Sequence, residues 1–412
     1  MLFRAQNWVR DLLQEPAVAD AARRFARERA ETNELHLELC RVAAPTFFEE
    51  KRAQFFVERL ERYGYDARMD RAGNVVALWP GEGRKPLVAV TAHLDTVLAP
   101  RSAEEIRLGP DGRFLGPGVA DNGAGLTALL VLAKAYAQHP RKNGRRGVVF
   151  VANVGEEGEG NLSGMRYLCR QSSLGPQIAS YVVLDGPGTE LVTVQALASR
   201  RLEVQYQGPG GHSWVDAANP NAVHAMGRMM ADFLDCFGRR TSLLESRYGK
   251  ATANFTMLDG GTSINSIPTS ARAKLDLRSE SAEVLVELAE LLTDCVERSL
   301  VMENEPGRLR RGAARLTAKI REIGARPGGR LAEDSALLAT VNAVDEYLGI
   351  ATRKDCASTD ANIPLSLGME ALCLGCGGAG GGAHSEAEWY HPEGREMALR
   401  RIYLVLLRLL EG

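Results

Sequence analysis

Four short runs of almost unbroken apolar character constrain this chain more than anything else in it: Asn74–Trp79, Leu87–Ala92, Val148–Val154 and Tyr181–Leu184. Strands this uniformly apolar suit a mostly parallel sheet covered on both faces, whereas a half-exposed sheet alternates polar and apolar residues. Between and around them lie segments of helical spacing. Residues 1–64 read as helices from Leu35, Leu39 and Val42 and from Phe55, Phe56 and Leu60. Gly123–Gln138 reads as a helix with an apolar stripe of Leu126, Leu129, Leu130 and Leu132, and Gly164–Gln171 as another. The expected fold is therefore α/β, a mostly parallel sheet with helices on both faces.

From about residue 190 the pattern changes. A strand over Arg201–Tyr206, a helix over Asn221–Phe237, strands at Thr252–Met257 and Ser270–Leu277, a helix over Ser281–Leu300 and a strand near Arg315–Ile323 follow one another. That order, βαββαβ, is the split pattern of a ferredoxin-like α+β unit. Residues 331–412 then return to the first style, with a helix at Ser335–Leu348, a strand at Ala371–Leu374 and a closing helix at Arg395–Leu410. With 412 residues exceeding one compact core, we expect residues 1–190 and 327–412 to build one domain and 191–326 to be inserted into it.

Charge and composition remove several function classes. The formal net charge of −2 gives no case for nucleic acid or an anionic membrane. The arginines of Arg308-Leu309-Arg310-Arg311 follow Glu303 and Glu305 and read as a solvated turn. No stretch approaches the roughly 20 apolar residues of a membrane span, and acids within the N-terminal apolar pattern speak against a signal peptide. An odd count of seven cysteines suits reduced thiols in a cytoplasmic protein. Cys373 and Cys376 have no second cysteine pair nearby and read as buried thiols on a strand end.

Acidic and imidazole groups stand just beyond the strand-like runs: His93 and Asp95, Glu156 and Glu157, and Asp185. Asp121 sits on the turn feeding a helix, and His384 follows the last strand. In open α/β sheets such positions converge in a crevice beyond the carboxyl ends of the strands. Two imidazoles and three carboxylates match the ligands of two zinc-like ions if one carboxylate bridges them, roughly 3.5–4 Å apart. Asp121 is placed to bridge, His93 and Asp185 to complete one site, and Glu157 and His384 the other. Asp95 is placed to accept the second ring N–H of His93. Glu156 is left as the general base for a water held between the ions. Each feature alone is an ordinary surface pair, acidic loop or turn. Their joint placement at strand ends is what points to two-metal hydrolysis.

The insert adds a second set. His212, in Gly210-Gly211-His212-Ser213, is suited to hydrogen-bonding a developing oxyanion, against the alternative of a glycine turn with an exposed histidine. Asn265 and Arg278 are suited to holding a substrate carboxylate or carbonyl, and for Arg278 the alternative is a salt bridge to Glu280 or Glu283. The loop Gly375–Gly382, six glycines among eight residues, offers either close backbone approach to a substrate or a hinge. Ser358, Thr359 and Asp360 read as helix caps.

With these residues assembled, the chain resembles the co-catalytic zinc exopeptidases and deacylases that include peptidase T, carboxypeptidase G, acetylornithine deacetylase and succinyl-diaminopimelate desuccinylase. The matching stretches are TAHLDTV (91–97), GPGVADNGAGL (116–126), VANVGEEGEGN (153–161), VLDG (183–186), GGHSW (210–214), INSIPTSARAKLDLR (264–278) and GGAHSEAEW (381–389). The resemblance implies the same ligands, with Asp121 as bridge, Glu156 as base and the insert as a lid and dimerisation domain. In dimeric members the histidine matching His212 completes the partner subunit's site, and Asn265 and Arg278 match lid residues that hold substrate. Many members carry an acidic residue where this chain has Asn122, which puts the hydrogen bonding and cis peptide of that turn in question. The run Ser-Thr-Asp-Ala-Asn (358–362) and the glycine-rich approach to His384 look nearest to a peptidase T-like branch. The expectation is a cytoplasmic, homodimeric, two-metal exopeptidase acting on di- or tripeptides, with zinc favoured over cobalt or manganese. The alternative is an N-acyl amino-acid deacylase on the same scaffold.

Overall fold

The computed structural model describes residues 2–80, 86–141, 144–305 and 314–412. The arginine-rich segment 308–311 lies outside the described residues. The chain divides into two compact units, Met1–Ala196 with Gly329–Gly412, and Leu197–Gly328.

The first unit is built on a nine-stranded mixed sheet. Its order is Asp66–Met69, Val75–Leu78, Gly147–Asn153, Leu87–His93, Ile178–Leu184, Glu370–Leu374, Leu191–Ala196 and Gly329–Arg330, with Arg353–Ala357 also pairing to Leu191–Ala196. The four central strands, from Gly147–Asn153 to Glu370–Leu374, run parallel, and antiparallel pairs flank them. Every residue of Leu87–His93 and Gly147–Asn153 is buried, as the unbroken apolar runs require. The helix Gly123–Gln138 is buried nearly all round rather than along one stripe, so it is a core helix. Its first turn packs tightly on the sheet, since a Cβ at Gly125 would lie 2.5 Å from the Leu184 carbonyl oxygen. Arg401 on the closing helix Arg395–Glu411 is fully buried and forks onto both oxygens of Asp345 at 2.6 Å. It also donates to the Thr189 carbonyl, and so ties two helices to the entry of a strand.

The second unit is the ferredoxin-like fold. Four antiparallel strands stand in the order Ala251–Gly260, Ser270–Ser279, Ala198–Gln207 and Thr317–Arg326, packed against the helices Ala222–Tyr248 and Ala282–Glu303. Ser281 caps the second helix through the Val284 N–H, a signal the sequence carries at its predicted start. Each unit has its own apolar core, and neither core borrows a residue from the other. Among the described residues no helix is long and apolar enough to cross a membrane.

Candidate metal centre

Parallel neighbours place their carboxyl ends on one edge of the first unit's sheet, and the ligand-type side chains gather there. His93 is the last residue of Leu87–His93, Asp185 follows Ile178–Leu184, and Glu156 and Glu157 follow Gly147–Asn153. Asp121 immediately precedes the turn into Gly123–Gln138. His384 lies between the short strands Ala379–Gly381 and Trp389–His391, at φ +64°, a backbone conformation seldom taken by a non-glycine residue.

The geometry divides around Asp121. Its Oδ1 lies 3.1 Å from His93 Nε2, and its Oδ2 lies 3.1 Å from His384 Nε2. Each imidazole has a further carboxylate: Asp185 Oδ1 at 3.8 Å from His93 Nε2, and Glu157 Oε1 at 2.9 Å from His384 Nε2. Ligand atoms of His93, Asp121 and Glu157 all lie within 4.8 Å of one another. One carboxylate thus addresses two imidazoles with separate oxygens.

Electrostatics follow from that crowding. Burial works against a charged His93, but Asp121, Asp185 and Asp95 outweigh it and hold its pKa well above the ordinary value. His384 is raised to about 10 by its contacts with Asp121 and Glu157, against a smaller effect of burial. Burial pushes the Asp185 carboxyl up, partly offset by His93. For Asp121 the two imidazoles overcome burial and lower the pKa. Three carboxylates around two imidazoles carry an excess of negative charge that a pair of divalent cations offsets, and nitrogen and oxygen donors of this kind suit zinc-type ions. The residues present fit such a pair.

Asp95 departs in detail from the sequence-based expectation. The Nδ1 of His93 lies 2.9 Å from the Asp95 carbonyl oxygen and 3.5 Å from its carboxylate. That carboxylate instead accepts the N–H groups of Glu156 and Glu157, each at 2.9 Å, and the Thr46 hydroxyl at 2.9 Å. The reason is supply, since two backbone donors of the adjoining loop are buried beside it and need an acceptor. Asp95 therefore fixes the loop carrying both glutamates as well as facing His93. Glu156 itself is buried.

Glu388 was not singled out from the sequence. It is buried and accepts the N–H groups of Gly118, Ala120 and Asp121 at 2.7–2.9 Å, so it holds the turn that presents Asp121. The Asp121–Asn122 peptide is cis. Asn122 donates to the Leu184 carbonyl at 2.9 Å and accepts from Gly125 N and Gly186 N. An ionised carboxylate at this position has no proton for the Leu184 carbonyl, which accounts for an amide here.

The glycine loop serves close packing. Gly377 N donates to the Gly188 carbonyl and Cys376 N to the Gly186 carbonyl, which seats the loop on the segment after Asp185. Of the residues read as caps, Thr359 accepts the Ala361 N–H through its hydroxyl. Asp360 instead turns inward, where the buried Asn153 amide donates to it at 2.6 Å and burial raises its carboxyl to about 7. Cys373 and Cys376 are buried free thiols whose pKa values burial raises.

In the second unit His212 is exposed on a two-stranded ribbon, Gly211–His212 paired with Ser266–Ile267. Its Nδ1 accepts the N–H groups of Trp214 and Val215 at 3.2 and 3.3 Å, so the neutral ring carries its proton on Nε2. Asn265 accepts the Ser213 N–H through its carbonyl and the Ser263 hydroxyl through its side chain. Arg278 pairs with Asp276 at 2.7 Å. Residues two apart on a strand share a face, which brings this pair together.

Comparison with known proteins gives the geometry its class. The chain matches peptidase family M28 over residues 74–239 and a peptidase dimerisation domain over residues 197–302. It is 26% identical over 303 residues to a Pyrobaculum aerophilum protein described as a LysW-lysine/LysW-ornithine hydrolase, covering 72% of this chain and 81% of that one. It is 30% identical over 123 residues to a succinyl-diaminopimelate desuccinylase of Nitrosospira multiformis, 28% of this chain and 32% of that one. A tripeptidase of Staphylococcus aureus shares the fold at a TM-score of 0.74 and 17% identity, over 92% of this chain and 98% of that one. In sequence and fold the chain is thus similar to metallopeptidases and related amidohydrolases, and it is an enzyme.

Proposed function

We propose that the protein hydrolyses amide bonds at a two-metal centre held by His93, Asp121, Glu157, Asp185 and His384, with Asp121 bridging. The observation that carries this reading is the division of the Asp121 oxygens between two imidazoles, each 3.1 Å away. Bound there, two cations, zinc by ligand type, would act as a Lewis acid toward the scissile carbonyl and lower the pKa of the attacking water. Glu156 takes the proton from that water and hands it to the leaving nitrogen. Asp95 holds the Glu156 and Glu157 backbone in place while that transfer occurs. His212, with its proton on Nε2, donates to the oxyanion, and Asn265 and Arg278 hold the far end of the substrate. In this reading the insert is both lid and dimerisation surface, and the enzyme is a cytoplasmic homodimer.

The substrate we favour is a short peptide cut by an exopeptidase, in keeping with the fold shared with a tripeptidase. A second reading, N-acyl amino-acid deacylation, is favoured by the match to a desuccinylase. Release of free amino acid from tripeptides, with N-acetyl and N-succinyl amino acids left intact, selects the first. Glu156→Gln tests the chemistry: metal content should match the parent while turnover falls about 10²–10⁴-fold. Equal rates in the two proteins would remove Glu156 from its role.

A further inference from the structure

The turn Pro45–Phe48 carries two large apolar side chains in the open, Phe47 at 63% and Phe48 at 74% exposure. Its closing bond runs from Phe48 N to the Pro45 carbonyl at 2.8 Å, which puts Phe47 at the third position with φ +76°. Turns with positive φ at that position take glycine or asparagine, because a side chain there crowds the backbone. The chain thus places an exposed ring where neither burial nor backbone preference favours one. Strain of this kind clusters at functional sites.

The turn is fastened to the metal centre on several sides. Thr46 donates to the Asp95 carboxylate, which in turn holds the Glu156 and Glu157 N–H groups. The next acid, Glu49, accepts the Gly155 N–H at 3.0 Å, and the Thr46 methyl fills the space that a Cβ on Gly160 would need. Buried Arg52 donates to the carbonyls of Val42 and Leu94, clamping the approach to the turn against the segment after His93. Phe47 is therefore held rigidly one residue from a side chain bonded to Asp95.

Resting on the proposed amide hydrolysis, we infer that Phe47 and Phe48 form an apolar subsite at the rim of the metal centre, which receives a bulky apolar side chain flanking the scissile amide. The substrate class is then peptides or acyl amino acids with aromatic or branched aliphatic residues at that position. The test compares the parent with Phe47→Gly and Phe48→Ala on matched amides carrying phenylalanine, leucine, serine or aspartate beside the scissile bond. The ratio of kcat/KM for apolar over polar substrates should fall about 10-fold in each variant, mainly through KM. Metal content should be retained, and Phe47→Gly should melt no lower than the parent because glycine suits φ +76°. A parent that turns over the panel while the variants keep its preference, or lose all substrates equally, overturns the subsite alone. A parent that cleaves no member of the panel overturns the hydrolytic reading, and the subsite with it.

Discussion

His384 lies 2.9 Å from Glu157 Oε1 and 3.1 Å from Asp121 Oδ2, and both carboxylates favour its cation. In protein stripped of metal this raises its pKa from 6.5 to about 10. A pKa raised on folding contributes stability that is full below the unfolded value and lost as pH climbs through the folded one. The chelated protein should therefore lose melting temperature between about pH 6.5 and pH 10, and His384→Asn should flatten that slope. Metal ions compete with the same protons, so loading near neutral pH should release protons, measurable in weakly buffered solution. A chelated protein equally stable across that interval would mean that His384 does not meet the two carboxylates in solution.

At the scale of elements, the turn 116–122 is only as well placed as the hairpin that holds it. Glu388, 270 residues along from Gly118, takes three of its N–H groups. Glu388→Ala strands three donors, each worth about 1–3 kcal/mol when buried and unmet. We expect a large fall in melting temperature and weakened affinity at both metal positions, since Asp121 serves both; calorimetric metal titration reads the second effect. Four of the five candidate ligands, His93, Asp121, Glu157 and Asp185, were legible because each follows an apolar run or opens a helix, positions where topology leaves little choice, whereas His384 lies in a loop between two short strands. Glu388 was hidden because its partners are backbone amides remote in sequence, which no side-chain pattern records. The strand Arg353–Ala357 was hidden for a different reason: three of its five residues are charged and exposed, the mark of an edge rather than of a core strand. Asn122 and Asp95 lay between these cases, with position legible and hydrogen-bond partners not.

The whole chain is one sheet domain interrupted by another fold, and the joint shows how separable they are. Ala196 and Gly329, the residues on either side of the insert, are direct partners in an antiparallel pair, and Gln195 pairs with Arg330. A two-residue hairpin turn can join such neighbours without moving them. The apolar core of the first unit contains nothing from 197–328, so excising the insert removes no core side chain. A chain with 197–328 replaced by a short turn should fold with its own cooperative melt and retain metal, because all five proposed ligands remain. Its turnover should fall at least about 10²-fold, the loss expected when an oxyanion donor is removed, since His212, Asn265 and Arg278 go with the insert. Circular dichroism, metal analysis and amide hydrolysis separate the outcomes. Failure to fold would mean that the first unit depends on the insert despite its separate core, whereas undiminished hydrolysis would confine the reaction to the first unit and leave His212 without a part in it.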